Sequence, residues 1–258
     1  MKVTTLGCWG GYPYKDEGTT SYLITGSDGF QLLMDAGSRS LNELEKELSP
    51  LDLDAVLISH YHPDHVADLG VLRHYRQLYP KHLWEPKTLP IYAHEEDVAE
   101  FAKLSLSGVS EGIAYNVNGT QQIGPFDVTF IKTVHPVVCY AFRILERETG
   151  QVLVFTGDTG YFEGLSDFVE GADLFLADVY LYEGNENHIA HLTSKEAGQM
   201  AREAGVKKLV LTHLPPVAPA GIAPDNHLEV LRQEAQHYAE DVPVELARPH
   251  LSWDLGKL

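Results

Sequence analysis

Two cysteines, Cys8 and Cys139, are all that 258 residues contain, and they stand far apart. A disulfide framework is excluded on that count, and a reduced, cytoplasmic setting is the simplest expectation. Positive charge is scarce too. Nineteen Lys and Arg face 37 Asp and Glu, for a formal net charge of −18. Long nucleic acid is held by Lys and Arg that displace phosphate counterions, so a large basic groove is not expected here. A small phosphate ester held by metal ions is compatible with this charge. No apolar run is long enough to cross a bilayer, so no membrane partner is expected. The opening MKVTTLGCWGGYP has no apolar h-region, and no signal peptide is expected from it. Low-complexity segments and obvious linkers are lacking as well. With 44 % apolar residues the chain has enough to bury a sizeable core, and residues 1–258 read as one domain.

What is present is a series of short apolar runs: SYLIT (21–25), FQLLMD (30–35), AVLIS (55–59), VTFIKTV (128–134), VLVFT (152–156), LFLAD (174–178) and KLVLT (208–212). Their length and branched side chains predict buried strands. GSDG at 26–29 predicts a hairpin turn between the first two. Helical spacing groups Leu41, Leu44 and Leu48, then Ala197, Met200, Ala201 and Ala204, then Leu228, Leu231, Ala235 and Tyr238. Thr193 with Glu196 forms a capping box for the second of these helices, and Gly205 stops it. The stretch from Tyr75 to Asn118 is the least readable and predicts one strand (LPIYAH) and one helix (EEDVAEFAKL). Strand pairs early and strand–helix alternation later predict a layered α/β fold.

The chemistry sits where these strands stop. AVLIS runs into His60, VTFIKTV into His135, VLVFTG into Asp158, LFLA into Asp178 and KLVLT into His213. If the ends share one edge, five metal-competent or proton-moving side chains converge. The loop SHYHPDHVADL (59–69) is denser still. His60 and His62 are two apart, so an extended chain points both to one side. Pro63 breaks the strand and biases His62 away from helical geometry. Asp64 and His65 then stand at the mouth of a helix, VADLGVLRHY. One loop thus offers two differently aimed pairs of ligands. Imidazole nitrogen and carboxylate oxygen suit zinc, and also manganese or iron(II). Cysteine is absent from the set, which disfavours a structural thiolate site. Asp158, with two oxygens, is the candidate to bridge two ions.

His60-x-His62-x-Asp64-His65, followed by His135, Asp158 and His213 in that order, resembles the metallo-β-lactamase superfamily. MDAG at 34–37 is similar to the superfamily's early aspartate motif, in which Asp35 is structural. The resemblance implies a four-layer αββα sandwich with two divalent metal ions at the sheet edge, zinc foremost. It places His60, His62 and His135 on one ion, Asp64, His65 and His213 on the second, and Asp158 between them. The implied nucleophile is a bridging water.

A second resemblance narrows the branch. HLTSKEAGQMAREAGVKKLVLTHL (191–214) is similar to the tail region of ribonuclease Z and related phosphodiesterases, in which a His-x-Thr unit opens a helix ahead of the last ligand. His191 and Thr193 match those positions. The implied role of His191 is to bond a phosphate oxygen or protonate a leaving alkoxide, with Asp178 orienting it. The free N–H groups of the helix start would favour phosphate. Ribonuclease Z enzymes also carry a long basic, glycine-rich arm, usually between His135 and Asp158 in this numbering. Here 22 residues separate the two and read as strand, turn and strand, so no arm fits. Asp178 replaces the usual Glu, and Ala190 stands where Gly is common. The reading is therefore a binuclear hydrolase with catalytic Asp64, His191 and Asp178, acting on a small phosphodiester or nucleotide rather than tRNA. The resemblance also implies a homodimer.

Two other readings use the same residues: an acyl hydrolase for lactones or thioesters, and a metal-dependent binding protein without turnover. His74, His82, His94, His227, His237 and His250 read as surface or structural residues. The loop CWGGYPYKDEG (8–18) reads as turns, with Trp9, Tyr12 or Tyr14 as alternative stacking groups at a pocket mouth.

Overall fold

The computed structural model describes residues 1–258. Two mixed sheets carry the architecture. The first runs, in spatial order, Ser252–Asp254, Lys2–Trp9, Ser21–Thr25, Gln31–Met34, Ala55–Leu57, Leu89–Ala93, Ser110–Ala114. Its first three pairings are antiparallel and its last three parallel. The second runs Val244–Leu246, Leu209–Thr212, Leu174–Leu181, Val152–Phe155, Tyr140–Glu146, Phe126–Lys132, Gln121–Ile123. Here three parallel pairings come first and three antiparallel ones follow.

Parallel neighbours need crossovers, and helices supply them. Ser40–Glu47 and Leu69–Leu78 serve the first sheet, and Leu165–Val169, Ser194–Glu203 and His227–Ala239 the second. The strands Val152–Phe155 and Leu209–Thr212 are buried along their whole length, as sheets covered on both faces require. One core cluster joins both sheets. Tyr22 packs across to Phe155 with ring centroids 5.8 Å apart, and Tyr115 stacks on Phe130 at 4.1 Å. The Tyr22 hydroxyl also bonds the Thr212 hydroxyl between the sheets. The result is the expected αββα sandwich.

All seven apolar runs form strands, and 26–29 turns the first hairpin, with Gly26 N–H donating to the Phe30 carbonyl. The capping box is present and Gly205 takes φ 61° just past the helix. Residues 136–157 form strand, turn and strand without an inserted arm. Several strands escape the apolar pattern. Ser110–Ala114, Gln121–Ile123 and Ser252–Asp254 lie at sheet edges and carry polar or small residues (SEGIA, QQI, SWD). The expected helix VADLGVLRHY is broken into Pro63–Val66 and Leu69–Leu78. At the break Asp68 N–H donates to the Ala36 carbonyl, and the Asp68 carboxylate accepts from Leu41 N–H. This pins the ligand-bearing loop to MDAG.

Candidate metal centre

Parallel strands send their C-terminal ends to one edge, the place where open α/β sheets bind ligands. Gln31–Met34 delivers Asp35, and Ala55–Leu57 delivers the 59–65 loop. From the second sheet, Val152–Phe155 delivers Asp158, Leu174–Leu181 carries Asp178, and Leu209–Thr212 delivers His213. His135 follows the antiparallel strand Phe126–Lys132. The backbone is bent hard here. Asp35 and His213 hold φ of 54° and 51°, left-handed values rare for residues with a Cβ. Gly157, at φ 59°, permits the turn into Asp158. A Cβ there would lie 2.9 Å from Cys139 Sγ.

Two groups result. The nitrogens and carboxylate of His60, His62, His135 and Asp158 lie within 4.8 Å of one another, and so do those of Asp64, His65, Asp158 and His213. His62 Nδ1 is 3.1 Å from both His60 Nε2 and His135 Nε2. Asp158 stands between the groups, its Oδ2 3.7 Å from His60 Nε2 and 3.2 Å from His213 Nε2, its Oδ1 3.2 Å from His65 Nε2. Asp64 Oδ2 lies 3.1 Å from His213 Nε2 and accepts from Gly11 N–H at 2.7 Å. All seven residues named for the metals thus come together, with three at the His60 end, three at the His65 end and Asp158 in the middle.

The inner nitrogens are aimed by partners on the far side of each ring, the device that orients metal-binding histidines. His65 Nδ1 lies 2.8 Å from Asp35 Oδ2, His60 Nδ1 3.1 Å from Ser59 Oγ, and His135 Nδ1 donates to the Ala190 carbonyl at 3.2 Å. Asp35 also accepts from the Ser59 N–H and hydroxyl, each at 2.8 Å, which makes it the structural aspartate expected. Burial holds the His60 imidazole well below its ordinary pKa, in the neutral form a ligand needs. Burial pushes His65 down as well, but Asp158 and Asp35 carry it up to about 10. Asp158 is lowered against the opposing pull of burial, because His213, His65 and His60 surround it.

This donor set fits cations. His65 Nε2 and Asp158 Oδ1 are buried with no hydrogen-bond partner. Unpaired buried polar atoms are costly, and convergent nitrogens facing carboxylates satisfy one another through a positive ion.

Beside the cluster, His191 Nδ1 lies 2.9 Å from Asp178 Oδ2, while Asp178 Oδ1 lies 3.3 Å from His213 Nδ1. Asp178 is fully buried and its Oδ2 also accepts from Thr159 N–H at 3.0 Å. The His191 side chain keeps 18 % exposure, enough for a substrate to touch. Burial lowers its pKa, and Asp178 more than reverses this, so the ring is held above its ordinary value. The helix start at Thr193–Ser194 is fully buried, and Glu196 and Thr193 cap each other, with Glu196 N–H donating to Thr193 Oγ1 at 3.1 Å and Thr193 N–H to Glu196 Oε2 at 2.9 Å. The Thr193 and Glu196 N–H groups are therefore taken up by the cap itself.

The 8–18 loop reaches the site through its backbone. Gly11 bonds Asp64, and a Cβ on Gly10 would meet the His213 ring at 2.6 Å. Trp9 is buried and its Nε1–H donates to Glu17, so it is not a free stacking surface. Tyr12 is exposed. Tyr180 is a neighbour that no motif pointed to. Its ring lies 5.1 Å from His191 and 5.8 Å from His213. The only available sign was its place two residues beyond Asp178 on the same strand.

Fold and site together define a metallo-hydrolase built on the metallo-β-lactamase fold. The chain belongs to the family described as the beta-lactamase superfamily domain, which matches residues 29–214. Among curated relatives, the probable metallo-hydrolase YhfI of Bacillus subtilis is 42 % identical over 216 residues, covering 83 % of this chain and 87 % of that protein. The crystal structure of YhfI superposes with a TM-score of 0.87 at 38 % identity, covering 98 % of this chain and 99 % of that one. Ribonuclease Z of Brevibacillus brevis is more distant, 26 % identical over 279 residues, covering 84 % and 86 %. The short form of human tRNase Z shares the fold at TM-score 0.72 and 20 % identity, with 99 % of each chain covered.

Proposed function

We propose that this protein is a binuclear metal-dependent phosphodiesterase acting on small phosphodiesters such as nucleotides or cyclic nucleotides. His60, His62, His135 and Asp158 would hold one divalent ion, and Asp64, His65, Asp158 and His213 the other, with zinc the best match to this nitrogen and oxygen set and manganese or iron(II) also suited. Such ions supply a lowered water pKa and a counter-charge for phosphate oxygens. Asp64, whose carboxylate accepts from Gly11 N–H, would help hold the second ion.

The observation that carries the reading is the His191–Asp178 pair beside both groups. A buried carboxylate raises the pKa of a partly exposed imidazole and fixes its direction, an arrangement suited to a general acid. His191 gives its proton to the departing alkoxide oxygen, or bonds a phosphate oxygen before that step. An activated ester with a good leaving group has little need for such a donor. The relationship to ribonuclease Z supports phosphate as the target, and the charge of −18 with no arm between His135 and Asp158 supports a small one.

The test is hydrolysis of bis(p-nitrophenyl) phosphate by protein loaded with zinc or manganese, with an Asp64→Ala control and a p-nitrophenyl carboxylic ester alongside. Diester turnover lost in the control is expected. Ester cleavage without diester turnover would move the protein to the acyl hydrolases.

A further inference from the structure

Tyr180 is the aromatic neighbour of the metal centre that the proposed function leaves unused. It stands two residues beyond Asp178 on the strand Leu174–Leu181, so both side chains leave the strand on the same side. Its ring lies 5.1 Å from the His191 ring and 5.8 Å from that of His213. Backbone closes a further side. A Cβ on Gly10 would lie 2.9 Å from Tyr180 Cδ2 and 2.6 Å from the His213 ring, so the loop packs directly on both. Gly10 is itself pinned, its N–H donating to the Leu214 carbonyl at 3.0 Å. The phenol ring is thus held between His191, His213 and Gly10, with little room to swing away.

Its hydroxyl lacks what other tyrosines of the fold have. A buried phenol usually finds a partner for its O–H. Here Tyr22 bonds Thr212, Tyr61 the His94 carbonyl, Tyr140 Glu96 and Tyr182 His227. Tyr180 is half-buried, yet its hydroxyl meets only charges at longer range. Burial raises its pKa, Tyr12 adds to the rise, His213 opposes it, and Asp64 and Asp178 push the same way as Tyr12. A phenol carries its proton at neutral pH in any case. A fixed donor without a protein acceptor therefore stands at the Asp64 and His213 end of the site, next to His191.

We infer that Tyr180 is a second donor to the substrate, its hydroxyl bonding a non-bridging phosphoryl oxygen while His191 serves the leaving oxygen. The inference rests on the phosphodiesterase reading and adds a catalytic residue to it. Asp64 and His213 belong to one of the two ligand groups, so a phosphate drawn to that group turns an oxygen toward this end of the site. A donor already fixed in place stabilises charge on such an oxygen without reorganising during the reaction.

The experiment uses Tyr180→Phe, which keeps the ring and removes only the donor. Circular dichroism and elemental analysis should show wild-type folding and metal content. On the metal-loaded full chain, kcat/KM for bis(p-nitrophenyl) phosphate should fall about 10²-fold. An alkyl diester should lose the same factor, because the leaving group is not involved. Thio substitution separates contact from support. The Rp and Sp isomers of methyl p-nitrophenyl phosphorothioate differ in which non-bridging position carries sulfur, a poor acceptor. The Rp/Sp ratio of kcat/KM should change by about tenfold in Tyr180→Phe. A residue that only braced His191 would lower both isomers alike. Calorimetric titration of inorganic phosphate into the metal-loaded protein reads the contact without turnover, and the variant should bind about tenfold more weakly. An unchanged isomer ratio in a folded, metal-replete variant, or an unchanged phosphate affinity, overturns the inference. Absence of diester turnover in the wild type, alongside phosphate binding that weakens in Tyr180→Phe, would instead sink the phosphodiesterase reading and leave Tyr180 as an anion contact.

Discussion

Asp158 is the side chain on which both metal groups depend, since its two oxygens face His65 on one side and His60 and His213 on the other. Asp158→Ala should lower metal content, read by elemental analysis of dialysed protein, and reduce diester turnover by about three orders of magnitude, or about 4 kcal/mol. A variant that retains two ions per chain would remove Asp158 as the bridge. His191 predicts the opposite pattern. His191→Ala should leave metal content intact and slow cleavage of an alkyl diester by about 10²- to 10⁴-fold. The loss with p-nitrophenyl diesters should be smaller, because p-nitrophenolate departs without a proton. Equal losses on both substrates would mean that His191 binds phosphate rather than donating a proton. These residues were legible in the sequence because ligands must follow strand ends, and HYHPDH packs four of them into six positions. Tyr180 was not, since an aromatic in an apolar strand context looks the same whether it faces a core or a pocket.

At the scale of elements, buried strands announced themselves through branched apolar runs, while edge strands did not. QQI at 121–123 pairs only with Phe126–Lys132, and its one buried residue, Ile123, gives no alternation to read. Contacts between elements far apart in the chain were equally silent. The helix Ser40–Glu47 is tied to the C-terminal segment by His250, whose Nδ1 lies 2.6 Å from Glu47 and Nε2 2.7 Å from Glu43. The bond to Glu47 raises the His250 pKa above its ordinary value, burial opposes this, and Glu43 adds to the rise. A histidine raised on folding stabilises fully below its unfolded pKa of about 6.5, and the stabilisation disappears as pH climbs through the folded value. His250→Asn, a residue that tolerates the φ of 64° found there, should therefore cost stability at pH 6 and nothing at pH 10. The link is partly exposed, so the cost at pH 6 should stay below about 1 kcal/mol in urea denaturation. A constant difference across this range would show that packing, not charge, makes the contact.

For the whole molecule, charge and topology act together. The two sheets place their parallel halves so that residues from both reach one edge, and this edge carries the site whatever surrounds it. Surroundings then decide how large a substrate can dock. A tRNA-sized partner needs many Lys and Arg to neutralise phosphates, and each such contact steepens the fall of affinity with salt. This chain has 19 cations against 37 acids, and the turn between Tyr140–Glu146 and Val152–Phe155 replaces any gripping arm. On the proposed function a small anion would meet mainly the candidate metal centre, whereas a long polyanion would also meet the acidic exterior. Precursor tRNA should accordingly show no binding in a gel-shift assay at 150 mM salt with metal-loaded protein. Lowering the salt should not rescue it, because weaker screening strengthens repulsion as well as attraction. Binding that tightens steeply at low salt would reveal a basic patch assembled from residues the net charge conceals, and would return long RNA to the list of substrates.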